Sequence, residues 1–358
     1  MNVGTTYLAT LESESVHILR EAVAEARNPV MLFSAGKDST VMAHLALRAF
    51  YPVKPPFPLL HVDSTWEFQS LLAFRDAFAQ DHGFELIAHA NEQGRAAGIN
   101  PFDHGDRYTT IMRTEPLKAA LDQGGYDIIF GGARRDEERS RAKERIVSIR
   151  NNGHAWDPRQ QRPELWRLFN ARLGPGQTAR VFPLSNWTES DIWAYALLNT
   201  INLAPLYYAA PRPVVERNGS FVVVDDESRM RFEPGDQLAI RKVRFRTLGC
   251  WPVTGAIESD ADDLPSVVAE TGRASSSERQ GRLSDAEGSG SLEQLKREGT
   301  AFASPVADKN TEVFRHESRS CQHGLEHFVL RLRPKLRVQT GNGRWEKFIG
   351  MRAGGKNW

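Results

Sequence analysis

Val30-Met31-Leu32-Phe33-Ser34-Ala35-Gly36-Lys37-Asp38-Ser39-Thr40, continued by the helix-favouring residues 41–50, decides how the chain is read. A short apolar run ends in small and polar residues and a helix begins at once, the pattern of a buried strand delivering a loop onto a helix N-terminus. The first amides of a helix have no intrahelical acceptor, and the aligned peptide dipoles place about half a positive charge there, so such a loop suits an anion. Ser34, Ala35, Gly36, Lys37, Asp38 and Ser39 are the candidate phosphate-binding residues, through the amides of residues 35–39 and the hydroxyls of Ser34, Ser39 and Thr40. The same residues also describe an ordinary turn with an Asp-Ser helix cap. They do not form a Walker A loop: Met31 stands where its first glycine belongs, and Asp38 separates Gly36-Lys37 from Ser39. A kinase or motor ATPase is thereby disfavoured.

Composition narrows the class. The chain has 358 residues, 40% of them hydrophobic, and 46 basic against 45 acidic side chains. This supports one substantial core plus an appended region and gives no nucleic-acid or membrane signature. Residues 1–20 lack the apolar run of a signal peptide and no stretch of 18 apolar residues occurs, so a cytoplasmic protein is expected. Two cysteines, Cys250 and Cys321, exclude a disulfide framework, and no residue is assigned as a metal ligand.

Outward from the loop, strands and helices alternate, which argues a doubly wound, mostly parallel α/β sheet. A helix is expected over residues 11–27 and a strand over 58–63, ending in Asp63-Ser64-Thr65. Ligands of open α/β sheets bind beyond the carboxyl ends of the strands, so Asp63 and Thr65 should face the crevice of residues 34–39. A helix marked by Leu71, Phe74 and Phe78 follows, then a strand over 84–89, a helix over 108–121 and a strand from Tyr126 into Gly131-Gly132. Behind the glycine pair comes the most charged segment, residues 133–145, with Arg134, Arg135, Arg139 and Arg141. Such a run suits a solvated helix face knitted by i,i+4 pairs; placed after a strand end, its arginine forks also suit a tetrahedral oxyanion.

Residues 151–180 read as a long loop of the kind that forms lids. A last strand is expected at Val181-Phe182-Pro183-Leu184, and Thr188-Glu189-Ser190-Asp191 resembles a capping box, opening a helix whose Ile192 and Trp193 belong to the core. Asn218-Gly219 between two valine-rich runs signals a type I′ hairpin. In residues 241–255 the arginines are better functional candidates than Cys250, read as a small buried hydrophobe. Three regions follow: a nucleotide-binding α/β domain over 1–205, a C-terminal region over 206–299 with the hairpin and the arginine-rich segment, and a poorly ordered tail over 300–358 to which no function is assigned.

Ser34-Ala35-Gly36-Lys37-Asp38-Ser39 resembles the PP-loop, Ser-[Gly/Ala]-Gly-x-Asp-Ser, of the adenine nucleotide alpha hydrolases, which release pyrophosphate from ATP. His61-Val62-Asp63-Ser64-Thr65-Trp66, Arg113-Thr114-Glu115-Pro116-Leu117-Lys118, Gly131-Gly132-Ala133-Arg134-Arg135-Asp136-Glu137, Ser140-Arg141-Ala142-Lys143-Glu144-Arg145 and Val243-Arg244-Phe245-Arg246-Thr247-Leu248-Gly249-Cys250 extend the likeness. Together, over residues 1–299, they resemble the family of small, catalytic subunits of bacterial sulfate adenylyltransferases.

The resemblance implies that ATP and sulfate are substrates, giving adenosine 5′-phosphosulfate and pyrophosphate. It places the pyrophosphate on residues 34–39 and Gly132, the nucleoside near Asp63 and Thr65, and sulfate and leaving group near Arg134, Arg135, Arg139 and Arg141. Mg²⁺ is expected with the ATP, and Asp38 has three roles open to it: capping the helix, orienting the loop or approaching the Mg²⁺. GTP would be bound and hydrolysed by a larger, elongation-factor-like partner subunit, since this chain lacks a Walker A loop. Two rivals stand: a phosphoadenylyl-sulfate reductase, which would need a nucleophilic cysteine such as Cys321, and another PP-loop nucleotide-binding or ATP pyrophosphatase protein.

Overall fold

The structure, a computed structural model, describes residues 3–273 apart from Glu138, Asn152 and Asn218. In chain order it comprises α1 (Val3–Glu25), β1 (Pro29–Leu32), α2 (Lys37–Phe50), β2 (Leu59–Asp63), α3 (Gln69–His82), β3 (Leu86–Ala90), α4 (Glu92–Ala96), α5 (Pro101–Thr109), α6 (Glu115–Gly124) and β4 (Ile128–Phe130). It continues through α7 (Arg139–Ala142), β5 (Val147–Arg150), β6 (Thr178–Val181), α8 (Glu189–Leu198), β7 (Ala210–Arg217), β8 (Ser220–Val223), β9 (Ala239–Arg244), β10 (Gly255–Glu258) and α9 (Leu264–Arg273).

Six strands form one sheet in the order β3-β2-β1-β4-β6-β5, parallel except for β5, which runs antiparallel to β6. Alternation of side chains across the pleat builds both faces. Val30, Leu60 and Ile129 pack with Leu117, Ala120 and Leu121 of α6 on one face. Met31, Leu59, Ile128 and Phe130 belong to the larger cluster with α1, α2 and α8. Covered on both sides, the sheet is doubly wound as the alternation of elements predicts. From β1 the chain proceeds to β2 on one side, whereas β4 pairs on the other, so the order of strands switches at β1 and a crevice opens beyond its carboxyl end.

Strands β7 to β10 form a closed four-stranded barrel, in which β7 pairs with β8 and β9, and β10 closes onto both. Its buried Val215, Val222, Val243 and Ala256 join the same core as the sheet. The hairpin at β7–β8 has the expected two-residue connection, with Arg217 opposite Ser220 and Gly219 at φ 73°; Asn218 lies outside the described residues.

Several boundaries differ from the sequence reading. Helix α1 begins at Val3, earlier than residue 11, because Leu8 and Leu11 also reach the core. The helix expected over 108–121 is divided by a π-helical turn at Thr110–Thr114 between α5 and α6. The last sheet strand is Thr178–Val181, not residues 181–184, since Pro183 has no amide to give a ladder. Residues 151–180 are not one long loop throughout: they hold two 3-10 turns, Pro158–Gln160 and Leu165–Arg167, and lead into β6. The expected capping box is present: Thr188 Oγ1 accepts from the Asp191 amide at 3.2 Å, and Asp191 Oδ2 accepts from the Thr188 amide at 2.8 Å. Residues 274–299 and the tail over 300–358, with Cys321, lie outside the described residues.

Candidate active site

The loop leaves β1 at the switch point. Ala35 takes φ 57°, a left-handed conformation that costs a residue bearing a Cβ about 1 kcal/mol. Gly36 then caps α2, and the first intrahelical bond runs from the Thr40 amide to the Gly36 carbonyl at 2.9 Å. The amides of Lys37, Asp38 and Ser39 therefore have no intrahelical acceptor. Of these, Lys37 donates to the phenol oxygen of Tyr207 at 2.7 Å. Ser39 Oγ donates to the Gly36 carbonyl at 3.0 Å and lies 3.2 Å from Ser34 Oγ, so the two hydroxyls flank the helix start.

Gly36 suits this crowding. A Cβ there would stand 3.3 Å from Ser34 Oγ and 3.4 Å from the Tyr207 phenol oxygen. Gly132, following β4, lies against the same loop, its hypothetical Cβ 3.4 Å from both the Asp38 Cβ and the Ser39 amide nitrogen.

Charge collects at the helix start. Asp38 Oδ1 accepts from Arg134 Nε at 2.6 Å, and its Oδ2 lies 3.2 Å from Lys37 Nζ. Lys37 and Arg134 are almost wholly buried, 2% and 1% exposed. Lys37 and Arg134 thus share the Asp38 carboxylate beside the α2 dipole, in surroundings that screen charge poorly. Arg134 also reaches Asp136 at 3.6 Å, and the Asp136 carboxylate accepts from the Glu189 amide at 3.3 Å. Glu189 in turn holds Arg246 at 2.8 Å, linking the loop to the strand end of β9.

Arg135 and Arg141 have other protein partners in the contacts observed. Arg135 donates to Asn186 Oδ1 at 2.6 Å and lies 3.7 Å from Glu164. Arg141 pairs with Glu137 one turn away, the solvated i,i+4 arrangement that the charge pattern also allowed. Arg139 opens α7, and its side chain lies outside the described residues. Of this segment, Arg134 meets residues 34–39.

Asp63 and Thr65 stand at the end of β2, the neighbour of β1. Asp63 Oδ1 accepts from the Thr65 amide at 2.7 Å, and Arg95 lies 3.6 Å from its Oδ2. Thr65 has φ 70°, unusual for a β-branched residue. Two strained residues, Ala35 and Thr65, thus follow adjacent strands at one crevice, as stored strain often does at working sites. Arg229 donates to the Thr65 carbonyl at 2.7 Å and lies 3.9 Å above the Trp66 ring, a contact that no local sequence pattern announced.

Beneath this turn lies Cys250. Its Sγ is 3.2 Å from Ser64 Oγ and 3.1 Å from the Tyr108 phenol, and burial pushes its thiol pKa up. Ser64 Oγ also donates to Glu67 Oε1 at 2.6 Å, and the Trp251 amide donates to the Trp66 carbonyl at 3.0 Å. The barrel thereby fixes the β2–α3 turn, and Cys250 is a structural residue, as its burial in the sequence reading implied. Arg244 of the same segment is buried on Glu270 at 2.6 Å.

Asp38 is committed to Arg134 and Lys37, and no group of three or more His, Cys, Asp or Glu side chains suited to a metal occurs among the described residues. The side chains present do not form a magnesium cage. Nor is any helix among the described residues long and apolar enough to cross a membrane.

Residues 28–256 match the phosphoadenosine phosphosulfate reductase domain. Sulfate adenylyltransferase subunit 2 of Acinetobacter baumannii (strain AYE) is 60% identical over 295 residues, 82% of this chain and 97% of that protein. Its counterpart from Rhizobium sp. (strain N33) is 59% identical over 300 residues, covering 84% and 99%. Among solved structures, phosphoadenylyl-sulfate reductase from Candida auris aligns with a TM-score of 0.40 at 16% identity, over 54% of this chain and 82% of that one. Candida glabrata FMN adenylyltransferase with FMN and an ATP analogue aligns with a TM-score of 0.40 at 15% identity, over 64% and 74%. With a near full-length match at this identity and the domain model covering most of the described residues, the chain belongs to the sulfate adenylyltransferase subunit 2 family, built on the phosphoadenosine phosphosulfate reductase domain.

Proposed function

We propose that this chain transfers the adenylyl group of ATP to sulfate. A sulfate oxygen attacks the α-phosphorus, the new S–O–P linkage forms, and the bond to the β-phosphate oxygen breaks with its electron pair leaving on pyrophosphate. The observation that carries this reading is the α2 start at residues 34–39, with the Ser34 and Ser39 hydroxyls and the buried Lys37 and Arg134 gathered on it, in a family whose relatives are named for that transfer. Charge building on the departing pyrophosphate meets fixed donors there, the amides of Asp38 and Ser39, which need no reorganisation as the bond breaks; the Ser34 hydroxyl, and that of Ser39 once it turns from the Gly36 carbonyl, add to them.

Sulfate is a weak nucleophile, so much of the catalysis comes from holding it in line with the α-phosphorus, a contribution worth several kcal/mol. In this reading Ala35, Gly36 and Gly132 let the backbone approach the polyphosphate, Lys37 and Arg134 supply charge, and Asp38 orients both cations. Asp63 and Thr65 border the nucleoside side. Arg135, Arg139 and Arg141 border the sulfate side, with Arg135 and Arg141 released from their present protein partners when substrate binds. Magnesium would be carried by the ATP phosphates, its usual mode, and would supply charge to the leaving group.

The product anhydride lies uphill of its reactants. We therefore assign GTP hydrolysis to an elongation-factor-like partner subunit, a second subunit being implicit in the relatives' name, with residues 206–299 as the partner-facing region and the cytoplasm as the compartment. Incubating the chain, with and without that partner and GTP, with ATP and radiolabelled sulfate tests the reading. Labelled adenosine 5′-phosphosulfate supports it; release of sulfite from that nucleotide with a thiol reductant, and no sulfate incorporation, would favour the reductase alternative.

A further inference from the structure

The amide of Lys37, the first of α2, donates to the phenol oxygen of Tyr207 at 2.7 Å. A phosphate ligand cannot have the same hydrogen, so Tyr207 removes one of the loop amides from the anion site and fixes the peptide that precedes the next two. The phenol is close on the other side as well, within 3.4 Å of where a Gly36 Cβ would stand. Tyr207 is itself rigid: it is buried, and its ring meets Trp193 edge-on with centroids 5.3 Å apart and planes at 87°.

The turn carrying Tyr207, Pro205–Tyr207, is held from the barrel. The Phe245 amide donates to the Leu206 carbonyl at 3.0 Å, and Arg212 from β7 donates to the Pro205 carbonyl at 3.1 Å. Trp193 Nε1 bonds Glu189, whose other oxygen holds Arg246, the residue after Phe245. The end of β9 thus supports Tyr207 both through its own turn and through the ring it packs on.

We propose that Tyr207 is a positioning residue for adenylyl transfer: its phenol oxygen sets the orientation of the Asp38 and Ser39 amides and couples the barrel to the loop. The proposal rests on the adenylyl-transfer reading for its kinetic consequence, although the contact itself does not. Misplacing a donor by a fraction of an ångström affects the developing charge more than the ground state, so the effect should fall on kcat.

The test is Tyr207→Phe in the full-length chain with its partner subunit, which keeps the ring and removes the oxygen. With ATP and sulfate we expect kcat to fall about 10- to 100-fold with KM for ATP changed less than about 3-fold. Hydrogen exchange at the Lys37 amide should speed up about 10-fold or more, whereas melting stays close to wild type. If Tyr207→Phe does not fold, 3-fluorotyrosine incorporated at position 207 weakens the acceptor while keeping the shape, and a smaller drop in kcat in the same direction is expected. An unchanged kcat, or a rise in KM alone, would overturn the proposal. If the wild-type chain shows no sulfate-dependent activity, the function reading fails, and Lys37 amide protection decides the contact: protection unchanged in Tyr207→Phe overturns it.

Discussion

Arg134 Nε and Asp38 Oδ1 stand 2.6 Å apart, joining the strand end of β4 to the first turn of α2 across the crevice. The arginine is buried at 1% exposure, while the carboxylate remains partly open and also meets Lys37. Removing either partner therefore has unequal effects. Asp38→Ala strands a buried guanidinium near Asp136 and should destabilise by about 3 kcal/mol, more than Arg134→Met, which fills the space and leaves Asp38 with Lys37. Urea melts of the two variants check the order, and both should lose at least about 100-fold in adenylyl transfer. An Arg134→Met protein less stable than Asp38→Ala would show that the pair is not arranged as described.

Gly36→Ala tests the crowding at the loop. The added methyl meets Ser34 Oγ at 3.3 Å and the Tyr207 phenol at 3.4 Å, so one must retreat by a few tenths of an ångström. Backbone φ at Gly36 is −74°, hence no conformational strain enters and the effect is steric alone. Overpacking of this degree should cost about 1 kcal/mol of stability and weaken ATP binding about 10-fold, measured by calorimetry. ATP affinity equal to wild type would mean that the loop relaxes freely.

Cys250 should behave as a structural thiol. Burial holds it protonated, and Ser64 and Tyr108 surround its sulfur. The Cys250 peptide should resist iodoacetamide in the native protein at neutral pH and label fully in denaturant, by mass spectrometry. Cys250→Ala should keep adenylyl transfer within about 3-fold while costing about 2 kcal/mol of stability. Rapid native labelling together with loss of activity would contradict the structural assignment of Cys250.

His44 gives stability a pH dependence. Burial, followed by the charges of Arg48 and His82, lowers its pKa to about 4 from 6.5. The unfolded chain thus binds a proton between these two values that the folded chain does not, so stability falls as the pH drops through that window. The slope from this one group is about 1.4 kcal/mol per pH unit at most. Denaturant midpoints for wild type and His44→Gln between those pH values should converge on acidification, the variant lacking this slope; parallel curves would exclude the assignment.

How much of this was readable in the chain depends on where the forces act. The β1–α2 unit was legible because apolar run, turn chemistry and helix start fall within residues 30–50, each acting on its own neighbours. Strand β5 was not, since Ser148 and Arg150 break its apolar run and are tolerated only because Glu144 bonds both. The barrel also escaped: its closure by β10 on β8 and β9 depends on pairings between segments far apart in sequence. In the site, Ser34, Ser39, Gly132 and Arg134 were identified by motif and position. Tyr207 and Arg229 were not, because a tyrosine in a Pro-Leu-Tyr turn and an arginine in a polar loop carry no periodic or spacing signal toward a loop so distant in sequence.

The central claim is that residues 34–39 bind the pyrophosphate that leaves when sulfate attacks ATP. Isotope exchange between ATP and pyrophosphate, with sulfate present or withheld, measures this step directly in wild type and Ser39→Ala. The account predicts exchange in wild type only with sulfate, and a fall of about 100-fold in Ser39→Ala without loss of fold. Exchange that proceeds equally without sulfate, or that survives Ser39→Ala undiminished, would contradict it.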